Sequence, residues 1–235
     1  MRFGIGLIAA GFMAVSPLAS AAELVANGGF EAGDFTGWNV TDNGGSGGCQ
    51  INLYSVNATG ANGCSSFITV GAPNSGIYAA FNTFDGQAAN YILAQTLAVP
   101  SGLATATLSF EFEASMRYVG EPRSFNVDLY DASNMTLLGS LYSKDFGNSE
   151  TDSWNTVSVD ASTLFATAAG NNVTLRLTNV IPRDYTGPAG FGLDDVSVSS
   201  TVSEGSTVPE PASMVLLGVG LAGLAAVRRR RSARG

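Results

Sequence analysis

Between residues 24 and 198 apolar and polar residues alternate in short runs, punctuated by Gly, Asn, Asp and Ser. Leu108, Phe110 and Phe112 share one parity, with Ser109, Glu111 and Glu113 on the other. Phe125, Val127 and Leu129 repeat the pattern against Asn126, Asp128 and Tyr130. Val173, Leu175 and Leu177 do so against Thr174, Arg176 and Thr178. A period of two predicts strands with one buried and one solvated face. Further strands are predicted over 36–42, 76–83, 90–99, 137–143, 153–160 and 190–198, and no stretch sustains a helical period. Many short strands with one wet face make an all-β, antiparallel β-sandwich (jelly roll), assigned to residues 22–198. Residues 199–207, rich in Ser and Thr, read as a linker.

The two ends read as addresses. Arg2, an apolar run from Phe3 to Val15 and the small-residue site Ala19-Ser20-Ala21 make residues 1–21 a signal peptide, removed before Ala22. Its apolar run, about 13 residues, is too short to span a bilayer. At the other end, Pro211 to Val227 carries no charge and is followed by Arg228, Arg229, Arg230 and Arg231. As a helix it reaches roughly 25 Å, the lower limit of a transmembrane span. The arginines act as a membrane stop that holds this end in the cytoplasm. Gly218-Val219-Gly220-Leu221-Ala222-Gly223 matches the dinucleotide fingerprint only literally, because no βαβ unit surrounds it.

Ahead of that helix stands Val208-Pro209-Glu210-Pro211. Prolines on both sides hold Glu210 extended, which suits recognition by a protease. The tripartite pattern over 208–235 resembles the PEP-CTERM sorting signal of exported bacterial proteins. That resemblance implies processing by an exosortase, a membrane-embedded cysteine protease, around Pro209, Glu210 and Pro211. It also implies a transient inner-membrane anchor, then delivery to the outer surface or exopolysaccharide matrix of a Gram-negative bacterium.

Composition narrows the rest. The 235 residues include no histidine, which excludes a Ser-His-Asp triad, a Cys-His dyad and histidine-ligated metal. Without its ends the chain keeps five basic residues against eighteen acidic ones, a net charge of −13. So acidic a region does not suit nucleic acid and repels anionic polymers unless a divalent ion bridges them. Cys49 and Cys64 lie in Gly/Asn-rich sequence. In an oxidising compartment they are expected to form a disulfide, worth roughly 3 kcal/mol for a loop of about 15 residues. A reactive thiol pair is the alternative, but it has no basic neighbour to lower a pKa.

Asn27-Gly28-Gly29-Phe30-Glu31 with Gly33-Asp34-Phe35-Thr36-Gly37-Trp38, and Phe191-Gly192-Leu193-Asp194-Asp195-Val196-Ser197-Val198, resemble the opening and closing of galactose-binding-like jelly rolls. That family includes many carbohydrate-binding modules. The resemblance implies a structural calcium ion (Ca2+) held by Glu31 and Asp194, with Asp195 as third member. Strand parity gives independent support, since it places Asp194 with Val196 and Val198 on the apolar face. A carboxylate there needs a cation or a hydrogen-bond network, and calcium takes such oxygen ligands. A bulge that breaks the parity would instead leave Asp194 wet.

If the three alternating strands share a sheet, Glu111, Glu113, Asp128, Tyr130 and Arg176 line one polar face able to grip sugar hydroxyls. Arg117, Tyr118 and Arg123 then border it, and an ordinary solvated sheet face is the alternative. Trp38 and Trp154 are expected in the core. Glu111 and Glu113 stand about 6.5–7 Å apart, a spacing that resembles a glycosidase pair. One open strand, however, offers no difference in environment to split their pKa values. The expectation is therefore a non-catalytic, exported domain that binds or associates with extracellular polysaccharide. A structural surface or biofilm protein without a glycan site, and a carbohydrate-active enzyme, are the alternatives.

Overall fold

The computed structural model describes residues 21–42, 52–62, 69–84, 88–116, 120–147, 153–183 and 189–203. The strands before the long core strands are β1 (Ala21–Glu23), β2 (Asn39–Asp42), β3 (Asn52–Asn57), β4 (Ala61–Asn62), β5 (Thr69–Val70) and β6 (Ala79–Phe84). They are followed by β7 (Ala89–Ala98), β8 (Leu103–Met116), β9 (Arg123–Asp131), β10 (Leu137–Phe146) and β11 (Asn155–Asp160). A single helical turn, α1 (Ser162–Ala166), precedes β12 (Asn172–Ile181) and β13 (Ala189–Val202). Sheet I has the order β11-β8-β13-β6-β3, with β1 also on β13. Sheet II has the order β10-β9-β12-β7-β2, and β4 and β5 form a separate ribbon. The pairings are antiparallel, so the expected β-sandwich is the fold.

The alternating pattern builds the core as predicted. Leu108, Phe110 and Phe112 of sheet I face Phe125, Val127, Leu129, Leu175 and Leu177 of sheet II, all buried. Phe191 sits at the centre, 4.7 Å from Phe125 and stacked on Phe112 at 6.1 Å between ring centroids. Trp38 is buried against Phe30 as expected, and its Nε1–H donates to Asn27 O at 3.0 Å. Trp154 is not in that core. It packs on the outer face of sheet I with Val70 and Phe81, over Gly192, where a Cβ would come within 2.9 Å of the indole.

Several expectations need correction. Ser199–Val202, assigned to the linker by composition, continues β13 and pairs with β1 and β8. The helix α1 carries no periodic signature, because one turn is too short to show one; ahead of it Asp160 Oδ1 accepts the Ser162 N–H at 2.9 Å. The edge strand β10 slips register twice against β9, between Leu137 and Gly139 and between Ser140 and Tyr142. Residues 1–20, Cys49, Cys64, Arg117, Tyr118, Pro209, Glu210, Pro211 and Arg228 to Arg231 lie outside the described residues. Among the described residues no helix is long and apolar enough to cross a membrane.

Candidate functional site

The opening and closing motifs meet in space. Gly28 O accepts the Val196 N–H at 3.0 Å, and a Cβ on Gly28 would lie 1.7 Å from Val196 O. Beside this contact β13 bulges. Asp194 pairs with Glu111 and Ser197 with Ser109, so three steps on β13 oppose two on β8, and Asp195 takes φ +50°. The bulge breaks the parity assumed from sequence. Asp194 therefore stands with Glu111 on the outer face of sheet I, not with Val196 and Val198 on the core face. Yet it is not wet. Its exposure is 0%, because the segment 71–78 lies over it.

That segment is held by four carboxylates in succession. Glu113 Oε2 accepts Gly71 N–H at 3.0 Å, and Glu111 accepts from the Asn74 side chain and from Thr156 Oγ1. Asp194 Oδ2 accepts Asn74 N–H (3.1 Å) and Ser75 N–H (3.2 Å), while its Oδ1 takes Asp195 N–H (2.8 Å). Glu31 Oε1 takes Ile77 and Tyr78 N–H at 2.9 and 3.0 Å. Gly76 is required in this strap: its φ is +59° and a Cβ would come 2.2 Å from Glu31 Oε1. Sequence reading offered Asp194 only a cation, a network or water. The network is main-chain N–H groups from a segment that no pattern connects to β13.

Glu31, Asp194 and Asp195 approach the open side of Gly29. A Cβ there would lie 3.2 Å from Asp195 Oδ1, 3.8 Å from Glu31 Cγ and 3.9 Å from Asp194 Oδ1. Among the described residues no ion pair meets these three acids. Burial, and then the charge of Asp195, push the Asp194 carboxyl up to about 6 against the N–H bonds that lower it. The oxygens of Glu31 and Asp194 are turned to N–H donors, and no three acidic side chains of the described residues are close enough to hold a metal. Carboxylate oxygens are hard donors of the kind calcium takes, but as placed here Glu31 and Asp194 are committed to the strap.

The predicted glycan face divides in two. β8 belongs to sheet I and β9 and β12 to sheet II, so Glu111 and Glu113 are on the opposite outer face from Asp128, Tyr130 and Arg176. What remains on sheet II is coherent. Arg176 is the cross-strand neighbour of Asp128, and Thr174 of Tyr130. The Arg176 guanidinium lies 5.0 Å from the centroid of the Tyr130 ring, and its buried Nε makes no hydrogen bond. No ion pair closes between Arg176 and Asp128 among the described residues. A cation held on an aromatic face next to an unengaged carboxylate presents donors and acceptors side by side. Arg123 does not border this face; it is fully buried at the start of β9.

No curated protein sequence matches the chain. Among solved structures, a carbohydrate-binding module, TmCBM61, in complex with β-1,4-galactotriose is similar at 18% identity and TM-score 0.49, over 75% of this chain and 97% of that one. The K3 adhesin domain of Lys-gingipain from Porphyromonas gingivalis is similar at 22% identity and TM-score 0.48, over 75% and 98%. A carbohydrate-binding module of the β-sandwich superfamily follows at 13% and 0.46, over 72% and 59%. The likeness is one of fold. Residues 207–231 match the PEP-CTERM protein-sorting motif, which implies export, exosortase processing and sorting to the cell surface. The chain is a β-sandwich protein that carries a PEP-CTERM sorting signal.

Proposed function

We propose that the chain is a non-catalytic surface or matrix protein whose sandwich binds extracellular polysaccharide through the outer face of sheet II. The observation that carries this reading is the Arg176 guanidinium on the Tyr130 ring, beside its cross-strand neighbour Asp128. Vicinal hydroxyls can accept from the guanidinium fork and donate to the carboxylate, while the ring supplies an apolar platform. Glu111 and Glu113 are engaged in holding 71–78, which supports a structural rather than catalytic role for both. The tail 208–235 serves as a transient anchor in the inner membrane of a Gram-negative cell until exosortase removes it. Calcium at Glu31, Asp194 and Asp195 would stabilise the junction of the two motifs without taking part in binding.

Affinity electrophoresis through gels containing a panel of polysaccharides, the host's own exopolymer included, tests the reading. Retardation by one polymer is expected. Arg176→Ala or Tyr130→Ala should weaken it about tenfold, or roughly 1.4 kcal/mol, with an unchanged unfolding midpoint. Uniform mobility across the panel would leave a structural surface protein. Product release abolished by Glu111→Gln or Glu113→Gln would instead establish a carbohydrate-active enzyme.

A further inference from the structure

Both described termini leave the sandwich at the same end. Ala21 pairs with Thr201, and Ser203 N–H donates to Gly102 O at 2.7 Å. Register places three further features there: the turn 99–102, α1 with residues 167–171, and the β9–β10 hairpin. Asp131 pairs with Val173, and Val173 in turn with Leu97. The sorting motif begins at residue 207, four residues beyond Ser203. Four extended residues reach at most about 14 Å, so this end stays close to the motif.

The hairpin presents apolar side chains outward. Met135 is 84% exposed, Leu137 53% and Leu138 38%. The turn is fixed in shape: Asp131 Oδ1 accepts from Ser133 Oγ (2.8 Å), Met135 N–H (3.0 Å) and Thr136 N–H (3.2 Å). Leu164 of α1 backs it at Gly139, where a Cβ would come within 2.9 Å. Charge is distributed to match. Residues 99–102, 132–138 and 162–171 contain no Asp, Glu, Lys or Arg, in a region whose net charge is −13. The flanking Asp131 and Asp160 turn their carboxylates back onto local N–H and hydroxyl donors. An end whose acids among the described residues are only Asp131 and Asp160, both engaged locally, and from which three apolar side chains project, suits a bilayer interface better than the more acidic faces elsewhere, which anionic headgroups would repel.

We propose that this end is a lipid-facing surface. While the tail anchors the chain, Met135, Leu137 and Leu138 enter the boundary between headgroups and acyl chains of the same bilayer. The inference rests on the reading of the tail as an anchor and adds an orientation to it: the domain stands on its terminal end, with the processing segment held at the membrane surface.

The test places tryptophan at Met135, or at Gly147 as a reference where a Cβ has nothing within 4 Å. Gly147 follows β10 at the opposite end of the sandwich. The full-length chain is incorporated into vesicles of phosphatidylethanolamine and phosphatidylglycerol with brominated acyl chains, which quench tryptophan at the acyl boundary. Emission added by Met135→Trp should fall by about half or more, and that added by Gly147→Trp should not change. Vesicle-bound chain with both positions unquenched, or both equally quenched, overturns the docking and leaves the anchor standing. Chain that fails to float with the vesicles overturns the anchor and the docking with it.

Discussion

Gly28→Ala is expected to lower the denaturant midpoint severely. A methyl group 1.7 Å from Val196 O overlaps a main-chain atom, and the strand that would have to retreat also supplies Asp194 and Asp195. No rotamer relieves such a contact. Its relief requires loss of the Gly28–Val196 hydrogen bond and separation of the opening motif from the bulge. We expect a cost above roughly 3 kcal/mol, a large fraction of the 5–15 kcal/mol that holds a typical domain together. Gly147→Ala, built into open space, should stay within about 0.5 kcal/mol of the parent. Denaturant midpoints compare the two. A Gly28→Ala midpoint equal to that of Gly147→Ala would mean that the two motifs do not close the sandwich.

The second large effect is the pH dependence set by Asp194. In the metal-free protein its carboxyl is raised from 3.8 to about 6, by burial first and the Asp195 charge after the opposing Ser75 hydrogen bond. The folded chain therefore holds this proton more tightly than the unfolded chain. Its contribution, roughly 3 kcal/mol, is complete below pH 4 and is lost as pH rises through 6. Asp131 works in the opposite sense. The Ser133 hydroxyl, then the Met135 and Thr136 N–H groups, hold it down at about 2, so what it contributes disappears only on acidification below 4. The interval from 4 to 6 thus belongs to Asp194, and in chelator the unfolding midpoint should fall across it. Asp194→Asn should flatten that slope. Calcium favours the ionised form and should raise the midpoint at pH 7 far more than at pH 4. A midpoint at pH 7 indifferent to chelator, with no metal in the purified protein, would remove calcium from Glu31, Asp194 and Asp195.

The sandwich was legible because its signal is local. Leu108, Phe110 and Phe112 alternate with polar residues within a few positions, and burial enforces the period. Sheet membership was not legible. Nothing in β8, β9 or β12 reveals which lies on which layer, so a single polar face was assembled from two opposite ones. Asp194 illustrates a different limit. Parity counts residues, and one inserted residue at Asp195 inverts it; positive φ at a non-glycine position leaves no sequence pattern. The strap 71–78 was equally hidden, because Glu31, Glu111, Glu113 and Asp194 reach it from distant parts of the chain. Short elements such as α1 and the β4–β5 ribbon lack the length on which any period depends.

The two register slips in β10 bear on how these molecules behave when crowded. An edge strand with a regular ladder offers its unpaired N–H and C=O groups to the matching edge of another molecule, and a dense layer of identical sandwiches would then polymerise strand to strand. Slips at Leu137/Gly139 and Ser140/Tyr142 put the free groups out of phase twice within ten residues, and Lys144 adds a charge along the same margin. A neighbour could match only two or three rungs before losing step. The β10 margin is therefore a poor seam for joining one copy to the next, however closely the copies are crowded.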